Sequence, residues 1–134
     1  MELPDHLARY KVADLFLDTS PCNTHTTASD ALWAGLPVLT LIGESFAARV
    51  AASLLHAVGL PELVVNTQEE YEKLAIELAN NPMRLREIKS RLENTLQVEP
   101  LFDTPLFTRH LESAYKEAYK RYREKLPLDH INVV

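Results

Sequence analysis

"ADLFLDTSPCNTHTTASDALWAGLPVLTL" occupies residues 13–41, and its reading decides the fold. Residues 13–18 form a short apolar run that ends in Asp18 and meets the breaker Ser20-Pro21, as a buried strand does. A polar stretch comes next. Thr26 or Thr27 can cap a helix running through Ala31, Leu32 and Trp33, with Gly35 just past its end and Pro37 preventing continuation. Residues 37–41, PVLTL, then read as a second strand. Strands that alternate with helices in this way make a parallel sheet in an α/β layer fold.

Further along, Ser45 can cap a helix over residues 46–58 that Gly59 can terminate in the left-handed conformation. Residues 62–65, ELVV, make a third short strand. Thr67 with Glu70 three residues later is a capping-box pattern, and Tyr71, Leu74, Ala75 and Leu78 give the next helix one apolar face. Pro82 opens a fourth helix, in which Leu85, Ile88, Leu92 and Leu96 recur at three- and four-residue spacing. Asp103-Thr104-Pro105 starts a long last helix with Phe107, Leu111, Ala114, Tyr115, Ala118 and Tyr122 as its stripe. Lys and Arg gather at its C-terminal end, where the helix dipole favours them. The tail from Leu126 reads as irregular. These elements predict an α/β nucleotide-binding portion over 1–80 and a helical extension over 81–126. Three strands make a small sheet and the chain opens just before one, so the whole of 1–134 reads as the second half of a larger nucleotide-binding domain.

The 134 residues suit one domain, and 46% hydrophobic with 25% charged residues is ordinary globular composition. A net charge of -5 disfavours a general nucleic-acid or membrane surface, so an anion site must be built locally. The single Cys22 excludes an internal disulfide and a Cys-based zinc cluster. His6, His25, His56, His110 and His130 lack tight metal spacing, so no metal is expected. Charges in MELPDHLARYKV exclude a signal-peptide reading there, and no run approaches spanning length; the expectation is a soluble, cytoplasmic protein.

In open parallel sheets ligands bind beyond the carboxyl ends of strands, where the next helix offers free N–H groups and its positive dipole end. The loop from Thr19 to Thr27 lies there. A diphosphate would accept hydrogen bonds from the backbones and hydroxyls of Thr26 and Thr27, supplemented by His25. Asp30, one turn later, suits sugar hydroxyls. The competing reading is that NTHTTASD merely caps a helix, since Ser, Thr, Asn and Asp are the ordinary capping residues. The spaced glycines of a dinucleotide or Walker loop are missing, which disfavours a dehydrogenase or NTPase. Cys22 beside His25 reads as a structural or ligand-lining thiol rather than a nucleophile. Arg49 is expected to pair with Glu44 or another acid, Trp33 to pack between helix and sheet, and KRYREK at 120–125 to be a solvated helix end or an acceptor-docking patch.

Residues 13–55 resemble the C-terminal catalytic region of protein O-linked N-acetylglucosamine transferases, with the plant SPINDLY-type transferases as relatives. The specific motif is CN-x-HTT-xx-D-x-LWAG-x-P, and weaker similarity runs from His6 through EEYEKLAIEL to LFDTPLFTRHLESAYKEAY. The resemblance implies half of a Rossmann-like domain of a GT-B glycosyltransferase that is inverting and needs no metal or other cofactor. It implies a UDP-sugar donor, UDP-GlcNAc, and Ser or Thr of acceptor proteins as receiver. His25, Thr26 and Thr27 match the phosphate-contacting triplet and Asp30 the ribose-holding acid. His6 and Arg9 match positions flanking the uracil, and Cys22 and Asn23 the loop near the donor sugar. Leu3 stands where the best-known members carry a nucleotide-contacting Lys. The family's base and phosphate-binding Lys lie upstream, so no catalytic residue is assigned here. The implied partners are an N-terminal catalytic half and helical repeats, and the chain alone is expected to be an incomplete, inactive piece. The alternatives are a non-catalytic nucleotide-binding or scaffold module, or another nucleotide-sugar enzyme such as an epimerase.

Overall fold

The central strand, β2 (Val38–Leu41), pairs in parallel on both sides. Its partners are β1 (Phe16–Leu17), in the register Phe16↔Val38 and Leu17↔Leu39, and β3 (Val64–Val65), in the register Thr40↔Val64 and Leu41↔Val65. The computed structural model describes residues 2–96 and 98–133. Parallel neighbours require crossover connections, and these are α2 (Thr26–Trp33) between β1 and β2 and α3 (Val50–Ala57) between β2 and β3. Val38, Leu39 and Thr40 of β2 are fully buried, as a strand covered on both faces must be.

Helix α2 buries Ala28, Ala31 and Leu32, an i, i+3, i+4 set that faces the core. Trp33 is one residue further round, so it is 53% exposed and lines a surface groove with Leu7 and Ala8 instead of packing between helix and sheet. Beyond Trp33, Gly35 adopts φ +83, the left-handed conformation that ends a helix at little cost for glycine. The second crossover is divided: a 3-10 turn, Phe46–Ala48, precedes α3, and Arg49 at φ -124 separates them. Strand β3 is shorter than its sequence pattern because Pro61–Leu63 form a 3-10 turn.

Thr67 and Glu70 form the full capping box at the start of α4 (Gln68–Asn80). Helix α5 (Pro82–Thr95) is capped by Asn81 and buries Leu85, Ile88 and Leu92. One helix has no counterpart in the sequence reading: α1 (Leu3–Arg9), which carries Pro in its first turn and buries no residue, followed by a 3-10 turn at Tyr10–Val12. At seven residues, with Leu3 and Leu7 its only large apolar pair, it is too short for a periodic signal to stand out.

The chain divides into two compact units after Leu101, so α5 and its buried leucines belong to the first unit, with the sheet. The second unit holds α6 (Thr104–Arg123), started by an Asp103 cap that accepts from the Leu106 amide. Helix α6 buries no residue: Phe107, Tyr115 and Tyr122 of its stripe are exposed. Among the described residues no helix is long and apolar enough to cross a membrane.

Candidate functional site

The polar loop leaves β1 at Asp18, whose buried carboxylate organises the turn into α2. Its Oδ1 accepts from the amides of Thr19 and Thr24 and from the Thr24 hydroxyl at 2.9, 2.8 and 2.7 Å. Its Oδ2 accepts from Thr40 Oγ1 of β2 at 2.6 Å. The Tyr71 hydroxyl of α4 donates to the Asp18 carbonyl at 2.8 Å, and burial, then the Asp18 charge, push that phenol above its ordinary value. A buried carboxylate must find such donors, and here they close the loop into a fixed shape. Asn23, also buried, donates from Nδ2 to the carbonyls of Thr19 and Leu41, and its amide donates to the Ala47 carbonyl. Its Oδ1 is buried and has no partner among the described residues. Cys22, by contrast, is exposed.

This framework delivers α2 with its first turn uncovered. His25, not a threonine, is the N-cap, and its side chain makes no capping hydrogen bond. Thr24, the nearest alternative, spends its hydroxyl on Asp18. The expected Thr26 or Thr27 cap is therefore replaced: both are already helical residues, and both are exposed. Among the described residues nothing accepts from their amides, the first being taken up at Ser29, which donates to the His25 carbonyl at 3.1 Å. Free N–H groups, two adjacent hydroxyls and the positive dipole end thus share one solvent-facing turn, a ready anion-binding arrangement.

One turn on, Asp30 Oδ2 lies 3.7 Å from His6 Nε2 of α1, so the base-side and ribose-side candidates are neighbours. Tyr10 meets the His6 ring edge-on at 5.4 Å, with its hydroxyl 3.5 Å from Nε2. Burial, then the Asp30 charge, raise the Tyr10 phenol, partly offset by Arg9. Arg9, three residues after His6 on α1, is exposed. On the other side of the α2 turn, the His25 ring contacts Phe46 at 6.0 Å and 88°. Arg49 Nη1 donates to the Gly43 carbonyl at 3.0 Å, so its partner is a backbone oxygen rather than the expected acid. The sequence reading gave no part around the polar loop to Thr24, Thr40 or Phe46, and none beyond strand end and helix face to Asp18 and Tyr71. The acid closing the β1 run was the one available signal. One cavity of about 450 Å³ is lined by Leu15, Leu17, Leu78 and Leu85, and another of about 530 Å³ runs from Ile42 to His56 and is bordered by Phe46, the ring that meets His25. Among the described residues no group of three His, Cys, Asp or Glu side chains could hold a metal ion.

A parallel α/β unit with a polar loop and a helix mouth beyond its first strand defines a layered α/β protein of the class that places ligands at the carboxyl ends of its strands. The family model of glycosyl transferase family 41 matches residues 2–111, and the chain belongs to that family. It is 39% identical over 127 residues to the UDP-N-acetylglucosamine–peptide N-acetylglucosaminyltransferase of Caenorhabditis elegans, covering 95% of this chain and 11% of that protein. It is 45% identical over 112 residues to SEC of Arabidopsis thaliana, covering 83% and 12%. A solved structure, a mutant O-GlcNAc transferase of Thermobaculum terrenum, superposes with a TM-score of 0.82 at 41% identity, covering 87% of this chain and 22% of that one. The expected α/β, Rossmann-like GT-B architecture is borne out, as is the resemblance on which it rested. The chain spans about a tenth of the length of the curated relatives it matches.

Proposed function

We propose that this chain forms the donor-binding part of an inverting, metal-independent glycosyltransferase that passes a sugar from UDP-N-acetylglucosamine to Ser or Thr of proteins. The C. elegans relative carries that donor and a peptide acceptor in its name. The observation that carries the reading is the exposed, uncapped first turn of α2 at the end of β1. In this reading the Thr26 and Thr27 amides and hydroxyls, with the His25 imidazole, hold the diphosphate. Asp30 accepts from the ribose, His6 and Arg9 flank the uracil, and Cys22 and Asn23 border the donor sugar.

Negative charge grows on the diphosphate as the glycosidic bond breaks. Donors already fixed in place stabilise that charge more than they stabilise the bound ground state, which lowers the barrier. The Asp18 network supplies the fixing, because Thr24 immediately precedes His25 and is held through both its amide and its hydroxyl by the acid at the strand's end. The attacking hydroxyl comes from the acceptor, and the group that takes its proton is not assigned to this chain.

Calorimetric titration of UDP into the wild type and a Thr26→Ala, Thr27→Ala variant tests the reading. Loss of two hydroxyl donors to a charged oxygen should weaken binding at least about tenfold. Equal affinity of the two proteins would sink the phosphate assignment, and equal competition by GDP would remove the uracil.

A further inference from the structure

Phe46 is 81% exposed, and the backbone that carries it is anchored. It opens the 3-10 turn Phe46–Ala48, in which the Ala48 amide donates to Ser45 and the Arg49 amide to the Phe46 carbonyl. That turn is tied to the polar loop by the Asn23 amide, which donates to the Ala47 carbonyl at 2.9 Å. It is tied to the end of β2 by the Gly43 amide, which donates to the Ala48 carbonyl at 2.8 Å. Gly43 permits this approach, since a Cβ there would meet the Ala48 Cβ at 2.7 Å. The turn that carries the ring is thus anchored from both strand ends.

What the ring touches is His25, edge-to-face at 6.0 Å. Among the described residues no hydrogen bond holds the His25 imidazole, and the side chain is exposed. An exposed imidazole on free χ angles would lose rotamer entropy on meeting an anion, and a ring that already restricts it removes part of that cost. We propose that Phe46 is a positioning residue, which orients the His25 imidazole towards the anion bound at the first turn of α2. The proposal rests on the donor-binding reading of that turn and adds a residue to it.

The test uses the full chain with four proteins, wild type, Phe46→Ala, Phe46→Tyr and His25→Ala, together with the His25→Ala, Phe46→Ala double variant. Proton NMR reads the His25 ring signals, identified by their loss in His25→Ala, and calorimetry reads UDP affinity. Phe46→Ala should move the His25 ring signals and weaken UDP binding about fivefold, the worth of an aromatic pair contact. Phe46→Tyr, which keeps the ring, should restore both. In the His25→Ala background, removal of Phe46 should change nothing further. The proposal is overturned if His25→Ala weakens UDP but Phe46→Ala does not, or if Phe46→Ala costs as much without His25 as with it, since Phe46 would then meet the ligand itself. If His25→Ala leaves UDP affinity unchanged, the phosphate role of His25 falls first and the positioning role falls with it.

Discussion

The Asp18 carboxylate and the Thr40 hydroxyl, 22 residues apart in sequence, meet at 2.6 Å inside the sheet and join the mouth of the polar loop to the central strand. Both are buried, and the carboxylate's other partners, the Thr19 and Thr24 amides and the Thr24 hydroxyl, are donors too. In Asp18→Asn an NH2 group must face at least one of those donors, leaving buried groups unsatisfied. The expected cost is about 2–3 kcal/mol, read from the shift of the urea unfolding midpoint at constant slope. A midpoint identical to wild type would show that the network does not hold the loop.

Asp30 has His6 beside it at 3.7 Å, and in the proposed function it accepts from a sugar hydroxyl. If it accepts from the ribose, the wild type should prefer UDP over its 2′,3′-dideoxy analogue by about tenfold or more, and Asp30→Ala should abolish the preference. Competition binding with both nucleotides measures it. A preference that survives the substitution would move the ribose elsewhere.

Tyr71 gives a pH dependence. Its value is raised in the folded chain above the ordinary 10.0, by burial first and by Asp18 second. A raised value means that the stabilisation from the neutral phenol is complete below pH 10.0 and is lost as the pH climbs through the folded value. Tyr71→Phe removes the bond to the Asp18 carbonyl and should cost about 1 kcal/mol at neutral pH. The gap between the two proteins should narrow in alkali, because only the wild type has this contribution to lose. Unfolding curves at neutral pH and above the tyrosine range check both halves; a gap that widens in alkali contradicts the assignment.

Gly43→Ala tests the loop that carries Phe46. The added methyl would sit 2.7 Å from the Ala48 Cβ, so the Phe46–Ala48 turn has to shift. The expected cost is about 1–3 kcal/mol, as for overpacking, with a change in the His25 ring signals in the NMR spectrum. Unaltered signals would mean that the turn yields without moving the ring.

The strand, loop and helix around Asp18 were legible because each is signalled locally: an apolar run, a breaker, small polar residues, then Gly35 and Pro37. The capping box at Thr67 and Glu70 was equally plain. What escaped depends on distance or on missing periodicity. Asp18 finds Thr24, Thr40 and Tyr71 at separations of 6, 22 and 53 residues, and no local rule pairs them. Helix α1 hides because it is too short for a periodic signal, and Trp33 misled because its size outweighed its position one residue off the buried face. The α2 cap was misplaced because a side-chain oxygen was expected at the helix start, whereas His25 holds that position without a capping bond and Thr26 and Thr27 are already helical.

Strand β1 is hydrogen-bonded to β2 on one flank and lies at the rim of the described sheet, with Leu17 53% exposed. That side chain forms part of the wall of the cavity of about 450 Å³ together with Leu15, Leu78 and Leu85, so a charge introduced at position 17 would sit among leucines and lose solvation.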